Sequence, residues 1–487
     1  MPFALDGPTT VEVKQGESAT ATYRVLGTSK PFRPVSISVQ GVPANVTALL
    51  SPSRAKPSFD SVLRLDAAVS AQEGRYPIMV TALDAKGAKT VSTSLFVVRK
   101  SQTIPPPGEP PFTADVWVAK TGSDSNDGSE GSPKLTITGA SGGLSILNAG
   151  ERMAIKAGTY AEKIDTNSTA IPNGSIGDPT EIVAYPGHAV VISATGPLNL
   201  ATGGPGPSEI SYIEWDGIEF INISGNNDVV SIFGNTHNVR FLNCKMHGAN
   251  GALSGVNFQG PSGAGNFPIN NALINCEIYE NGNGGGGSGL VGHGIYASCG
   301  SLLLDNCSVH HNGDRGIQIF SSNLSNSELS NCILRNSQFF ENGADGSAGG
   351  VGVTVFGDDH LVYNNLIFDN DQGVGVASSA NNCAVYNNTV VNNTGTGLEN
   401  LDTSTVVTNN ICFGNGTELD NSGTGENNTT TNPNFVDGTG PDYDFHLQSG
   451  SNSRNTGSDL SGIFTTDRDG TSRPQGSQWD RGAYEQD

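Results

Sequence analysis

Short runs in which apolar and polar residues alternate make up most of the chain, and Gly, Pro, Ser and Asn separate them. In residues 9–98 such runs include ATATYRVL, VSISVQGV, SVLRLDAAV, YPIMVTAL and TVSTSLFVV. Alternation with a period of two predicts about seven short strands, and therefore a small β-sandwich over residues 1–100. The stretch TIPPPGEPPFTAD follows, and its prolines predict an extended linker over residues 101–114.

Farther along, the pattern repeats itself. Seven segments share an Asn: FLNCKMHGAN, LINCEIYENG, LDNCSVHHNG, LRNSQFFENG, VYNNLIFDND, VYNNTVVNNT and VTNNICFGNG. The spacing between these Asn residues falls from 32 to 22. A period of 22 is too short for a helical repeat and fits one coil of a right-handed parallel β-helix. Coils stacked ~4.8 Å apart would bury the apolar stripe and let the Asn side chains hydrogen-bond to one another.

The predicted fold class is therefore all-β: a right-handed parallel β-helix over residues 115–430, preceded by the small sandwich. Residues 431–487 are expected to cap the end of the helix. Seven cysteines, all after residue 243, lack a metal-binding spacing, and we expect them to be reduced packing groups.

Charge differs between the two parts of the chain. Residues 1–100 hold 12 Lys and Arg against 7 Asp and Glu, whereas residues 101–487 hold 13 against 40. The acidic second part should repel polyanions, so we expect no nucleic acid partner. No apolar run approaches the roughly 20 residues that a membrane span requires.

Segments on either side of the repeats carry a family resemblance. The entry, VWVAKTGSDSNDGSEGSPKLTI, and the tail, NPNFVDGTGPDYDFHLQSGSNSRNTGSD, resemble those of pectate-lyase-like right-handed β-helix proteins. The first 100 residues resemble the Ig-like domains of secreted bacterial proteins. The resemblance implies a secreted enzyme that acts on polysaccharide, and we expect a monomer. The opening MPFALDGPTT lacks the regions of a signal peptide.

Stacked columns of polar residues follow from the repeat. Five residues after the shared Asn, the column is Gly248, Glu280, His311, Glu341, Asp369, Asn392 and Gly414. A second column consists of the residues directly before the Gly that opens the next strand: His293, Arg315, Val351, Gln372 and Thr396. A third column consists of the residues two positions after that Gly: Tyr296, Gln318, Thr354, Gly375 and Glu399. Insertions at 260–271, 281–292 and 342–352 adjoin the most polar coils and are expected to wall a cleft.

This set suits β-elimination on an acidic, uronate-containing polysaccharide. Arg315 could pair with the uronate carboxylate, and Gln318 could assist it. His311 or His293 suits the base, because imidazole has a reference pKa of ~6.5, and Tyr296 could protonate the leaving oxygen. The expected catalytic residues are His311, Arg315, His293 and Tyr296, and the expected substrate contacts are Gln318, Glu341, Lys245, Glu280 and Asp314.

Other functions share this scaffold. Glu341 and Asp369, one coil apart, approach the ~5–5.5 Å carboxyl separation of a retaining glycosidase. Glu280 and Glu341, two coils apart, approach the ~6.5–9.5 Å of an inverting one. Uronate epimerisation, or a non-catalytic glycan-binding or tailspike-like role, is also open. His310 is expected to alternate to the side opposite His311 and to have a structural or supporting role.

Calcium is the one cofactor that the sequence suggests. SDSNDGS places Asp124, Asn126 and Asp127 at near-alternate positions, as at the start of an EF-hand loop. No Glu follows at the twelfth position, and an Asx-turn loop is the alternative. The elimination itself needs no metal.

Overall fold

The computed structural model describes residues 3–7, 10–14, 18–27, 34–43, 45–67, 74–84, 87–98, 112–203, 206–223, 227–251, 253–260, 266–282, 292–343, 349–440 and 443–486. The chain divides into two compact units, one of residues 1–109 with 459–466 and one of residues 110–458 with 467–487. Most of the predicted linker, residues 101–111, lies outside the described residues. In the described part of the chain, no helix combines the length and the apolar character that crossing a membrane requires.

A two-layer β-sandwich forms the first unit. One sheet has the strand order Phe3–Asp6, Ser18–Gly27, Phe59–Ala67 and Val46–Ser51, and the other Thr10–Lys14, Gly87–Val98, Gly74–Asp84, Val35–Gln40 and Arg54–Ala55. Tyr23 and Leu65 from the first sheet and Ile37 and Val80 from the second are buried in one shared core. Alternating burial along Ser18–Gly27 confirms the period-two prediction. The Ig-like resemblance stays a prediction.

The second unit is a right-handed parallel β-helix with three parallel sheets. The first sheet contains Val116–Val118, Arg152–Ile155, Thr180–Ala184, Ile213–Asp216, Arg240–Leu242, Ala272–Ile274, Leu303–Asp305, Ile333–Arg335, Leu361–Tyr363, Ala384–Tyr386 and Val406–Thr408. The second contains Gly158–Tyr160, Val190–Ala194, Ile218–Asn222, Lys245–His247, Glu277–Tyr279, Ser308–His310, Gln338–Phe340, Leu366–Phe368, Thr389–Val391 and Ile411–Phe413. The third contains Ile164–Asp165, Leu198–Ala201, Val230–Phe233, Val256–Gln259, Ile295–Ala297, Ile317–Ile319, Val351–Val355, Gln372–Val376, Thr396–Asn400 and Thr417–Asn421.

Smaller elements complete the unit. They are a 3-10 turn at Gly143–Ser145, a parallel pair Ile210–Ser211 with Thr236–His237, and an antiparallel pair Phe435–Asp437 with Asp444–Leu447. The antiparallel pair lies in the predicted capping segment. Its Phe435 and Phe445 pack on Leu366 and Phe368, which face outward from the second sheet.

Asparagine shapes the corners between the sheets. The shared Asn of each repeat has a positive φ, as at Asn243 (54°) and Asn409 (61°), a conformation that Asn tolerates better than most residues. In the five middle repeats the Asn six residues later is buried. These Asn residues form a ladder, in which Nδ2 of Asn342 donates to Oδ1 of Asn370, and Nδ2 of Asn370 to Oδ1 of Asn393. The predicted Asn ladder is confirmed.

All seven cysteines are free and buried. Cys244, Cys276 and Cys307 occupy one column, and each thiol donates to a backbone carbonyl rather than forming a disulfide. The expectation of reduced packing groups is confirmed.

Raising the pH is expected to weaken the cap. His446 lies between Asp444 (Nδ1 to Oδ1, 2.6 Å) and Asp469 (Nε2 to Oδ2, 2.9 Å). Burial lowers the pKa of His446, but the hydrogen bonds that its ring donates to the two carboxylates outweigh burial and raise the pKa. A raised folded-state pKa gives stability that is present below about pH 6.5 and is lost as pH rises through the folded value. His446→Gln should therefore lower Tm at about pH 5 more than at about pH 8, and an equal loss at both would contradict this.

Candidate functional site

The outward face of the third sheet carries a column of mostly polar residues, which we call the third-sheet strip. Backbone pairing places in one row Asp165, Asn199, Ser231, Asn257, Tyr296, Gln318, Thr354, Gly375, Glu399 and Asp420. Inward neighbours such as Ile295, Ile317 and Val353 are fully buried, so the alternation fixes which side chains face out. The predicted stacking of Tyr296 on Gln318 is confirmed.

Glycine sets the corner before each of these strands. A Cβ at Gly294 would come within 2.7 Å of the Gly316 carbonyl oxygen, and one at Gly316 within 2.6 Å of the Gly352 oxygen. The coils can stack this closely only with Gly at the position. The Gly294 amide donates to the Arg315 carbonyl at 2.9 Å, so His293 and Arg315 lie on successive coils as predicted.

Asp314 joins these two residues into one cluster. Its side chain is 4% exposed, and Arg315 Nη1 donates to its Oδ2 at 2.6 Å. His293 Nδ1 lies 3.1 Å from the same oxygen. Nδ1 makes no hydrogen bond among the described residues, and it faces Asp314 as the ion-pair partner that the ring would have when protonated. An imidazole and a guanidinium thus share one carboxylate.

Tyr296 and Gln318 extend the cluster onto the strip. The rings of His293 and Tyr296 stack with centroids 5.8 Å apart and planes 11° apart. Burial raises the pKa of Tyr296, which keeps its phenol protonated and able to donate a proton. We call His293, Tyr296, Asp314, Arg315 and Gln318 the His293 cluster.

Asp228 lies beside this cluster and was not predicted. Its Oδ1 accepts from the Ser254 amide at 2.7 Å and its Oδ2 from Asn257 Nδ2 at 2.8 Å. Burial raises the pKa of Asp228, while those hydrogen bonds and the nearby His293 oppose the shift. Asp228 precedes the first aligned repeat, so the alignment of the repeats could not predict its position near the cluster.

Several buried polar atoms around the cluster have no hydrogen-bond partner among the described residues. They are His293 Nδ1, Arg315 Nε, Asn257 Oδ1 and Thr354 Oγ1. Buried polar atoms are rarely left unsatisfied, because each costs roughly 1–3 kcal/mol. Water or a polar ligand at this part of the strip would satisfy these atoms.

His311 belongs to a second group, and the buried Asn312 separates it from Arg315 along the chain. Its Nε2 lies 2.8 Å from Glu341 Oε2, and its Nδ1 lies 2.8 Å from Nδ1 of His310. A surface cavity of about 310 Å³ adjoins it, lined by His311, Glu341, Asn342, Gly343, Asp369, Asn370, Asp371 and Thr394. We call this the His311 cavity. The structure therefore does not bring His311 into contact with the His293 cluster.

Asp369 is a half-buried carboxylate that lines the His311 cavity. The Tyr443 hydroxyl donates to its Oδ2 at 2.7 Å. Burial raises the pKa of Asp369, the hydrogen bond from Tyr443 opposes this, and the nearby Glu341 adds to the rise. Tyr443 lies in the capping segment, outside the repeats, so the repeat pattern did not link it to this cavity.

The remaining predicted contacts lie away from the third sheet. Lys245 is on the outward face of the second sheet, where its Nζ lies 2.7 Å from Glu277. Glu280 occupies an exposed positive-φ corner at 52°. His310 is stacked between the rings of Tyr279 and Phe340, and burial lowers its pKa. Its Nδ1 lies 2.8 Å from Nδ1 of His311, so the prediction that it lies on the side opposite His311 is wrong. Much of the predicted cleft wall, residues 261–265, 283–291 and 344–348, lies outside the described residues.

The predicted calcium ligands take part in hydrogen bonds of their own loop. Asp124 accepts from the amides of Leu135 and Thr136 at 3.0 and 2.9 Å. Asn126 Nδ2 donates to the Pro133 carbonyl, and Asp127 Oδ1 accepts from Ser129. Among the described residues, no group of three or more His, Cys, Asp and Glu side chains is arranged to hold a metal ion. A calcium ion would have to compete with these bonds, and its binding stays a prediction.

Comparison with known families supports the fold. Residues 270–435 match the model of a family described as "Right handed beta helix region". This range contains all residues of the His293 cluster and of the His311 cavity. The β-helix fits a protein that acts on or binds a polysaccharide, but the same scaffold hosts several chemistries. A comparison with curated proteins found no match.

Solved structures resemble about a fifth of the chain. One is the S-layer protein SbsC domains 4 and 5, at 20% identity over 20% of this chain and 50% of that chain, with a TM-score of 0.16. Another is the titin M3 domain, at 17% identity over 20% of this chain and 95% of that chain, with a TM-score of 0.15. A third is a protein of unknown function from Porphyromonas gingivalis W83. It has 18% identity over 19% of this chain and 46% of that chain, with a TM-score of 0.16.

Proposed function

We propose that the protein cleaves an extracellular, uronate-containing polysaccharide by β-elimination, and that the His293 cluster performs the reaction. The observation that carries this proposal is the convergence of an imidazole, a guanidinium and a phenol on one outward surface. Elimination at C4 and C5 of a uronate needs a base, a partner for the carboxylate and a proton donor. The buried polar atoms without partners support a ligand at the same place.

Each group has a defined part in the proposed reaction. Arg315 binds the uronate carboxylate and, together with Gln318, makes the C5 proton more acidic. His293 takes that proton, and the electron pair forms the C4–C5 double bond as the C4–O4 bond breaks. Tyr296 gives its proton to the leaving oxygen. Asp314 holds His293 and Arg315 in position and stabilises the imidazolium that forms.

His293 is a better candidate for the base than His311. His293 shares Asp314 with Arg315, and its ring stacks on Tyr296. Both ring nitrogens of His311 face His310 and Glu341 instead. A base must lie within hydrogen-bond reach of the proton that it removes, and only His293 lies beside the carboxylate-binding group.

Arg315→Gln should lower kcat/KM on a uronate polymer about 10²–10³-fold, because the carboxylate would lose a charge-assisted, two-point contact. Arg315→Lys is the matched control. It keeps the charge but not the planar fork, so it should recover part of the loss. The measurement is initial rate against polymer concentration, followed by absorbance of the unsaturated product. Full activity in Arg315→Gln would exclude the assigned role.

A second candidate is hydrolysis at the His311 cavity. Glu280, His311 and Glu341 occupy the same corner of three consecutive coils, with φ of 50–54°. Asn392 occupies this corner in a later coil, and Asn adopts positive φ at a lower conformational cost than Glu or His. Such strain is often kept at functional sites. The raised pKa of Asp369 suits a general acid, with Glu341 one coil away. Glu341→Gln separates the two proposals, since it should abolish hydrolysis but leave β-elimination intact.

A further inference from the structure

Near the His293 cluster, the third-sheet strip is lined by neutral groups. Asn199, Ser231 and Asn257 precede Tyr296 along the row, and Thr354 and Gly375 follow Gln318. A pyranose unit has a length similar to the ~4.8 Å rise of a coil, so a polysaccharide along the sheet would meet roughly one residue of the strip per sugar. Amides and hydroxyls at these positions suit the hydroxyls of neutral sugars.

Half-buried aromatic residues run beside the strip. Phe233 pairs with Gln259 at the ends of two neighbouring strands. The rings of Phe320 and Phe356 are 4.9 Å apart on the coils that carry Gln318 and Thr354. Apolar ring edges next to a polar row match a sugar chain, which has C–H surfaces as well as hydroxyls.

Cationic side chains are scarce on this surface in the described part of the chain. The ten strands of the third sheet contain no Lys or Arg. Arg315 comes two residues before one of these strands, and Lys163, before the first strand, is paired with Asp165 at 2.8 Å. Acidic residues stand at both ends of the strip, Asp165 at one and Glu399 with Asp420 at the other.

From this distribution we infer that the substrate carries one uronate at the cleaved position and neutral sugars on both sides of it. The inference rests on the proposed β-elimination and specifies its substrate class. A homopolyuronate would place a carboxylate on each neighbouring coil, where the described strands offer no Lys or Arg and where desolvation is costly. Asp228 and Asp371 lie close to the coils of the cluster and would add repulsion.

A substrate panel tests the inference. Gellan and rhamnogalacturonan alternate uronates with neutral sugars, whereas polygalacturonate and alginate are homopolyuronates. The protein should release unsaturated products at least tenfold faster, by kcat/KM, from one of the first pair than from either homopolyuronate. Faster cleavage of a homopolyuronate would overturn the inference and leave the lyase proposal standing. No unsaturated product from any polymer would overturn both.

Gly375 offers a test by gain of function. A Cβ at this position meets nothing within 4 Å, so the strip has room for a side chain two coils beyond Gln318. Gly375→Lys adds the missing cation, and Gly375→Gln is the neutral control of similar length. The ratio of kcat/KM on polygalacturonate to kcat/KM on the alternating polymer should rise about tenfold in the Lys variant relative to the Gln variant. An unchanged or lower ratio would contradict the inference.

Discussion

Replacing His293 with alanine is expected to lower kcat for unsaturated product about 10²–10⁴-fold, the usual contribution of a positioned general base. The variant loses the ring that shares Asp314 with Arg315 and stacks on Tyr296. KM should change much less, because Arg315 and Gln318 still bind the uronate. Added imidazole should restore part of the rate by supplying a base in the vacated space.

His311→Ala is the matched control for this prediction. It removes a histidine from the neighbouring corner that contacts His310 and Glu341 rather than the His293 cluster. Its elimination rate should stay within about threefold of the parent, and both variants should keep the parent's circular dichroism. A large loss in His311→Ala with full activity in His293→Ala would transfer the base to His311, the other histidine that the sequence favoured.

Asn388→Ala is expected to lower the free energy of unfolding by about 3–5 kcal/mol. Asn388 is fully buried. Its Nδ2 donates to the Val362 carbonyl and to Asn410 Oδ1, both at 3.0 Å. Its Oδ1 accepts from the amide and from Nδ2 of Asn365, again at 3.0 Å. Alanine would leave these partners unsatisfied in the interior, and each costs roughly 1–3 kcal/mol.

The measurement is urea unfolding followed by circular dichroism. Asn323→Ala is the control, because Asn323 is exposed and its change should stay within about 0.5 kcal/mol. Asn388→Asp should also be destabilising, since a carboxylate cannot donate the two hydrogen bonds and would bury a charge. Equal stability of Asn388→Ala and Asn323→Ala would show that the ladder contributes little.

The β-helix could be predicted because its repeat leaves a local signature. A short strand with inward apolar residues ends at a corner that needs positive φ, and Asn or Gly supplies it at Asn243, Asn364 and Gly414. Aligning these corners fixes the vertical register, so the stacking of Tyr296 on Gln318 follows from sequence. The Asn ladder and the buried free cysteines follow from the same alignment.

The division of the polar residues into two groups could not be predicted. His311 and Arg315 are four residues apart, but Asn312 turns the chain inward between them, where it bonds to Asn342. Register gives the height of a residue along the stack and not the direction of its side chain around the corner. Asp228 and Tyr443 were missed because they lie outside the aligned repeats and reach the sites only through folding.

Mass spectrometry of the oligosaccharides that the protein releases tests the proposed β-elimination most directly. If the His293 cluster removes a C5 proton from a bound uronate, each new non-reducing end carries a C4–C5 double bond and is one water lighter than a saturated oligosaccharide. Such products are expected from the parent protein, and they should be lost in His293→Ala. Saturated oligosaccharides that contain the mass of an added water would contradict it and assign the cleavage to hydrolysis.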